Sequence, residues 1–162
     1  MISIFKKVAI IAIAALTMSV TAIAQQQGDM AVGGNLIIGT GDSWTNVGIG
    51  AKFFYNVTDP IRLAGEFDLF FPKYETTCWD ISAYGHYLFP VADQVVVYPS
   101  VGLGIFGAKL KGFDGNSDFV FSLGGGADYA LTPTLSLTGE LRIKICDGHT
   151  RLNFVAGVAY KF

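Results

Sequence analysis

Charge is scarce in this 162-residue chain. Only 15% of its residues are Asp, Glu, Lys or Arg, and they nearly cancel to a formal charge of −2. So slight a balance is too small to imply electrostatic capture of acidic substrates, and no nucleic-acid partner is expected. Histidine and cysteine are rarer still: His86, His149, Cys78 and Cys146. Neither histidine has a second His or a Cys at metal-ligand spacing, so no metal site and no cofactor is expected. Beyond the first two dozen residues, no apolar run reaches the ~20 residues that a membrane helix needs.

What is abundant is apolar residue and glycine. Hydrophobic residues make up 51% of the chain, and 20 residues are Gly. The N-terminus reads Met-Ile-Ser-Ile-Phe-Lys-Lys, then an apolar run from Val8 to about Val20, then Ala22-Ile23-Ala24. A basic start, a short apolar stretch and a small-residue cleavage site describe a secretory signal peptide over residues 1–24. The exported chain, 25–162, is then one domain by length. Only helices and closed barrels satisfy the backbone in lipid, so high apolar content without a spanning helix leaves a β-barrel as the membrane solution.

Turn residues divide the exported chain. Three tight turns carry Pro and Asp or Thr: 56–60, 90–94 and 131–134. Four further breaks fall at 41–45, 72–77, 109–117 and 147–150. Eight segments remain, at about 30–40, 46–55, 61–71, 78–89, 95–108, 118–130, 135–146 and 151–162, each near the ~9–11 residues of a tilted spanning strand. With both termini inside, the Pro-bearing turns are expected to be periplasmic and the other four loops extracellular. Pro99 is out of place in the fifth segment, and a bulge or a late strand start is expected there.

The charges test this division. Twelve of them lie in the segments: Lys52, Arg62, Glu66, Asp68, Asp80, Asp118, Asp128, Glu140, Arg142, Lys144, Arg151 and Lys161. Each falls on the parity opposite the large apolar residues of its own strand, as period-two alternation requires. A soluble sheet with a dry core would alternate in the same way. Two features favour lipid outside and charge inside. Gly33, Gly48, Gly50, Gly102, Gly104, Gly124, Gly126 and Gly157 share the charged face and make room in a narrow lumen. Aromatics on the apolar face gather at both ends, with Tyr55, Tyr87, Phe89, Tyr129, Tyr160 and Phe162 near the turns and Phe71, Trp79, Phe119 and Phe121 near the loops. Turning six basic side chains to lipid would cost on the order of 10 kcal/mol, comparable with the whole stability of a typical domain.

The chain ends Arg-Leu-Asn-Phe-Val-Ala-Gly-Val-Ala-Tyr-Lys-Phe, strictly alternating to the last residue. This segment resembles the closing strand of bacterial outer-membrane β-barrels, which ends in an aromatic, here Phe162 with Tyr160 two before it. The whole exported chain resembles the OmpX-type and OmpA transmembrane-domain class of Gram-negative bacteria. The resemblance implies an all-β, eight-stranded antiparallel up-and-down barrel in the outer membrane. It also implies Tyr160 and Phe162 as the assembly signal read by the barrel-assembly machinery, with outer-membrane lipid as the surrounding partner. A monomer is expected.

An eight-stranded barrel has an interior only wide enough for side chains. A lumen charge network is therefore expected among Lys52, Arg62, Glu66, Asp68, Asp80, His86, Asp128, Glu140, Arg142 and Lys144. Arg62 is expected to pair with Glu66 or Asp80, and Arg142 with Glu140 or Asp128. Cys78 and Cys146 fall near the outer rim but well apart around it. A disulfide needs Cα atoms ~4.4–6.8 Å apart, so two free, buried thiols are expected, although an oxidising compartment permits a bond.

The main functional expectation is a structural or surface-interaction barrel with an ion-paired lumen. A narrow gated pore for ions or small solutes is the first alternative. A lipid-modifying enzyme is the second, since some eight-stranded barrels are acyltransferases or deacylases using His, Ser and an acid. Here His86 shares a face with Ser82 and Asp80, but strand neighbours four apart stand ~13 Å from each other, so no catalytic residue is expected. Gly102-Leu103-Gly104-Ile105-Phe106-Gly107 matches a dinucleotide-binding pattern, yet it alternates as a strand and no amphipathic helix follows it.

Overall fold

The computed structural model describes residues 26–41, 44–73, 76–110, 112, 115–146 and 148–162. The expected signal peptide lies outside these. Eight antiparallel strands close on themselves: β1 (Met30–Gly41), β2 (Trp44–Asn56), β3 (Ile61–Lys73), β4 (Thr76–Tyr87), β5 (Val95–Leu110), β6 (Asn116–Ala130), β7 (Leu135–Cys146) and β8 (His149–Lys161). After Leu88, β4 resumes as Phe89–Ala92. Each strand pairs with its sequence neighbours, and β8 pairs with β1, so no edge is left open.

Two of the tight turns are built alike. The N–H of Val57 donates to the carbonyl of Ile61, and that of Leu131 to Leu135, each at 2.9 Å. In both, a threonine hydroxyl, Thr58 or Thr132, accepts from the N–H of the first residue of the next strand. Threonine and proline at these points therefore specify the reversal locally.

Following the pairing once round the wall from Val96 leads through Asp128, Thr138, Gly157, Asn35, Gly50, Asp68 and Asp80 to Phe106, ten residues further up the same strand. That stagger, with ordinary strand spacings, gives a tilt of about 40° and a backbone radius of roughly 8 Å. A cylinder that narrow is filled by its own side chains.

The alternation read from the sequence sets the two faces. Leu36, Leu63, Ile81, Leu103 and Phe154 point outward and are about half exposed. Tyr55, Tyr87, Tyr129, Tyr160 and Phe162 are outward at the turn end, Phe71 and Phe119 at the loop end. On the inner parity, aromatic residues share the lumen with charge: Phe54, Phe70, Tyr84 and Tyr98 are buried there. Size is not what assigns a residue to the outer face.

Two expectations about the backbone are corrected. Pro99 causes neither a bulge nor a late start. The β4–β5 register is the same at His86↔Ser100 and at Phe89↔Val97. What Pro99 does is interrupt the ladder at Leu88, because it has no N–H to give. Leu88 turns its own N–H to the carbonyl of Pro60 at 2.7 Å. Second, most strands extend further at the loop end than expected. Hairpin pairing needs no apolar side chains, so it continues past the apolar belt. Only residues 42–43, 74–75, 111–115 and 147–148 lie between strands there.

Candidate functional site: the lumen charge network

The inward residues form a stack from the turn end to the loop end. Near the turns, Arg62 Nη1 lies 2.6 Å from Asp128 Oδ2. Its Nε donates to His86 Nδ1 at 3.1 Å. The guanidinium lies over the rings of Phe54 and Tyr98, at 4.2 and 4.7 Å. His86 stacks on Tyr98 at 4.4 Å. Cation–π contacts of this kind gain strength when desolvated.

Above this layer Lys52 Nζ donates to Thr138 Oγ1 at 2.5 Å. Arg142 occupies the centre. Its Nη1 and Nη2 grip both oxygens of Glu66 across the lumen at 2.8 Å, and its Nε donates to Glu140 Oε2 at 2.7 Å. Tyr84 completes the cradle, with its hydroxyl 3.2 Å from Nη1 and its ring 4.2 Å from the guanidinium carbon. Next, Lys144 Nζ pairs with Asp80 Oδ2 at 2.8 Å, and the Ser82 hydroxyl donates to the other Asp80 oxygen. Higher still, Ile37, Phe70, Cys78 and Val155 form an apolar layer, and the Arg151 guanidinium rests on Phe106 at 4.0 Å.

All ten residues of the expected network are buried in the lumen. Their partners differ in part from expectation. Arg142 does take Glu140, but Glu66 as well, and not Asp128. Arg62 takes Asp128 rather than Glu66 or Asp80. The reason is height: Asp128 stands across from Arg62 near the turns, whereas Glu66 lies two inward positions further up Arg62's own strand, past Ala64 and ~13 Å away. Asp68 is 1% exposed, and among the described residues no ion pair or hydrogen bond engages its carboxylate. Glycine makes its place, since a Cβ on Gly50 would overlap Asp68 Oδ1. Among the ten residues of that network, five carboxylates (Glu66, Asp68, Asp80, Asp128 and Glu140) face four cations (Lys52, Arg62, Arg142 and Lys144), and Arg151 adds a fifth cation higher in the stack.

The aromatic partners Phe54, Tyr84 and Tyr98 were not among the expected site residues. Their parity is the signal that could have placed them, because Phe54 shares a face with Lys52 and Tyr84 with Asp80. Cys78 and Cys146 are both free and buried. Tyr160 and Phe162 lie on the outer face at the turn end, 52% and 66% exposed, with the N–H of Phe162 bonded to the carbonyl of Met30. At the same end, a cavity of about 40 Å³ is lined by Asp29, Asn56, Arg62, Asp128 and Lys161. It has room for roughly one to three waters. Phe54, the ring under Arg62, lines it as well.

Comparison with known proteins agrees with this geometry. The sequence matches the family described as Outer membrane protein beta-barrel domain over residues 9–162. No curated protein matches it. Among solved structures, Neisserial surface protein A is similar at 17% identity, over 83% of this chain and 96% of that one, with a TM-score of 0.67. The attachment invasion locus protein Ail of Yersinia pestis is similar at 16% identity, over 85% and 100%, with a TM-score of 0.60. OprG from Pseudomonas aeruginosa is similar at 12% identity, over 88% and 99%, with a TM-score of 0.62. At these identities the likeness is one of fold.

Proposed function

Because this chain belongs to the outer membrane protein β-barrel domain family, we propose that it is a monomeric outer-membrane barrel with a closed lumen, serving a structural or surface-contact role rather than transport. One observation carries the reading. Arg142 fills the centre of the lumen and is held by Glu66, Glu140 and Tyr84 at once. An ion crossing the barrel would have to break that cluster and leave buried charges unpaired, which costs about 3–5 kcal/mol per broken pair. Surface contact is supported by the fold shared with Neisserial surface protein A and with Ail. The short spans between strands limit the grip, so contact would be made mainly by the rim itself. Planar-bilayer recording tests the proposal. Wild-type protein is expected to be silent, and steady unitary conductance would refute closure.

A narrow gated pore is the second reading, and Lys52 favours it. Its ammonium is hydrogen-bonded to the neutral Thr138 hydroxyl, while Glu140, on the same face of the same strand as Thr138, is engaged by Arg142. An exchange of Glu140 from Arg142 to Lys52 would loosen the plug without stranding a carboxylate. Wild-type silence with channel openings in Arg142→Ala would fit a gate.

No catalytic step belongs to this proposal. Ser82 bonds to Asp80 and His86 to Arg62 in separate contacts, so no Ser–His–acid relay is assembled, and both side chains are buried in the lumen away from the lipid-facing wall. Lipid A and phospholipids should stay chemically unchanged on incubation with the purified barrel. Recognition of Tyr160 and Phe162 by the assembly machinery is part of the same reading, and loss of both aromatics should lower the amount of folded protein in the outer membrane.

A further inference from the structure

The interrupted ladder at Leu88 coincides with a hollow in the outer wall. It has a volume of about 460 Å³ and is lined by Ile61, Gly85, Tyr87, Pro99, Val101 and Leu123. His86 and Ser100 also border it, and since their side chains are buried in the lumen they meet it with backbone. Two features of the sequence create the space. Gly85 brings no side chain to the outer face, and Pro99 breaks the pairing beside it. The room at Gly85 is real: a Cβ there would meet nothing nearer than Val101 Cγ1, at 3.9 Å.

We propose that this hollow is a docking site for an acyl chain of a periplasmic-leaflet phospholipid whose headgroup carries an ammonium. The occupant follows from position. The hollow is continuous with the apolar belt that meets the bilayer, since Ile61, Tyr87, Val101 and Leu123 are all exposed members of that belt. Its lining reaches the turn end of the wall at Ile61 and Tyr87, where Tyr87 packs on Phe89 at 4.8 Å. Charge selects the headgroup. The turns below the hollow carry exposed Asp59 and Asp93, and neither 57–60 nor 92–94 contains a Lys or Arg. An ammonium is attracted there, and an anionic glycerol headgroup is repelled.

Photolabelling tests the site. The barrel is reconstituted in vesicles of phosphatidylethanolamine and phosphatidylglycerol with a trace of phosphatidylethanolamine bearing a diazirine on its acyl chain, and the adducts are mapped by peptide sequencing. Adducts should concentrate on residues 85–101 and on Leu123, at least threefold above equal lengths of belt elsewhere. Gly85→Leu, which fills the hollow, should cut that labelling threefold or more. Gly139→Leu, also on the outer face where a Cβ meets nothing within 4 Å, should not. Labelling spread evenly round the belt, or lost equally in both variants, would overturn the site. Equal labelling by a phosphatidylglycerol probe would overturn the headgroup assignment. Should Gly85→Leu fail to fold, the wild-type map decides alone.

Discussion

Arg142 and Glu66 meet across the lumen as a two-pronged pair, Nη1 to Oε1 and Nη2 to Oε2, each at 2.8 Å. They stand on β7 and β3, 76 residues apart in sequence, and each side chain is 1% exposed. The fork of the guanidinium matches the two carboxylate oxygens, a geometry that lysine cannot supply. The pair ties one wall of the barrel to another, independently of the ladder. Breaking a buried pair strands a charge, so Glu66→Ala should cost about 3–5 kcal/mol. The midpoint of urea unfolding in lipid vesicles measures it, and a loss below about 1 kcal/mol would show that Glu140 and Tyr84 suffice to hold Arg142.

Asp68 and Asp80 face each other on adjacent strands, yet their substitution should have opposite effects. Asp80 neutralises Lys144, so Asp80→Asn should destabilise the barrel by about 3–5 kcal/mol. Asp68 is buried without a partner among the described residues. Asp68→Asn removes an uncompensated carboxylate and should leave stability unchanged or raise it by about 1–3 kcal/mol. The same urea titration compares them, and a large loss in Asp68→Asn would mean that this carboxylate is compensated after all.

Lumen glycines should be intolerant where wall glycines are not. A Cβ on Gly104 would lie 2.5 Å from the Ile81 carbonyl oxygen and 2.9 Å from Ser82 Cα, both backbone atoms that cannot swing away. Gly104→Val should therefore fail to give a compact, heat-shiftable band on SDS gels. Gly65→Val should keep the shift, because a Cβ there meets nothing within 4 Å and valine favours strands.

Lipid-facing charge should be penalised by depth. Leu141 and Leu137 are equally exposed, at 46% and 44%, on the outer face of one strand. Leu141 lies mid-strand and Leu137 near the turn. Leu141→Lys should cost about 2–4 kcal/mol, and Leu137→Lys about 0–1. Equal costs would place the bilayer elsewhere on the wall.

Faces were easier to read in the sequence than heights. Parity alone places Arg62, Glu66, Asp128 and Arg142 in the lumen, because successive side chains on a strand must alternate. It does not say which of them meet. Each circuit of the wall climbs ten residues, so side chains at one height carry unrelated numbers. That is why Arg62 finds Asp128 and not Glu66. The rule that large apolar residues face lipid also failed locally, at Phe54, Phe70 and Tyr84, where the lumen guanidinium groups of Arg62, Arg151 and Arg142 lie against the rings.

By itself the sequence determined the number of strands, the positions of the turns and the side of the wall on which each charge lies. These follow from period-two alternation and local turn chemistry, which act over a few residues. Only the closed tertiary structure decided the partner of each charge, the isolation of Asp68 and the hollow beside Pro99. Those depend on stagger, tilt and the filling of a narrow cylinder, properties of eight strands taken together that no single segment contains.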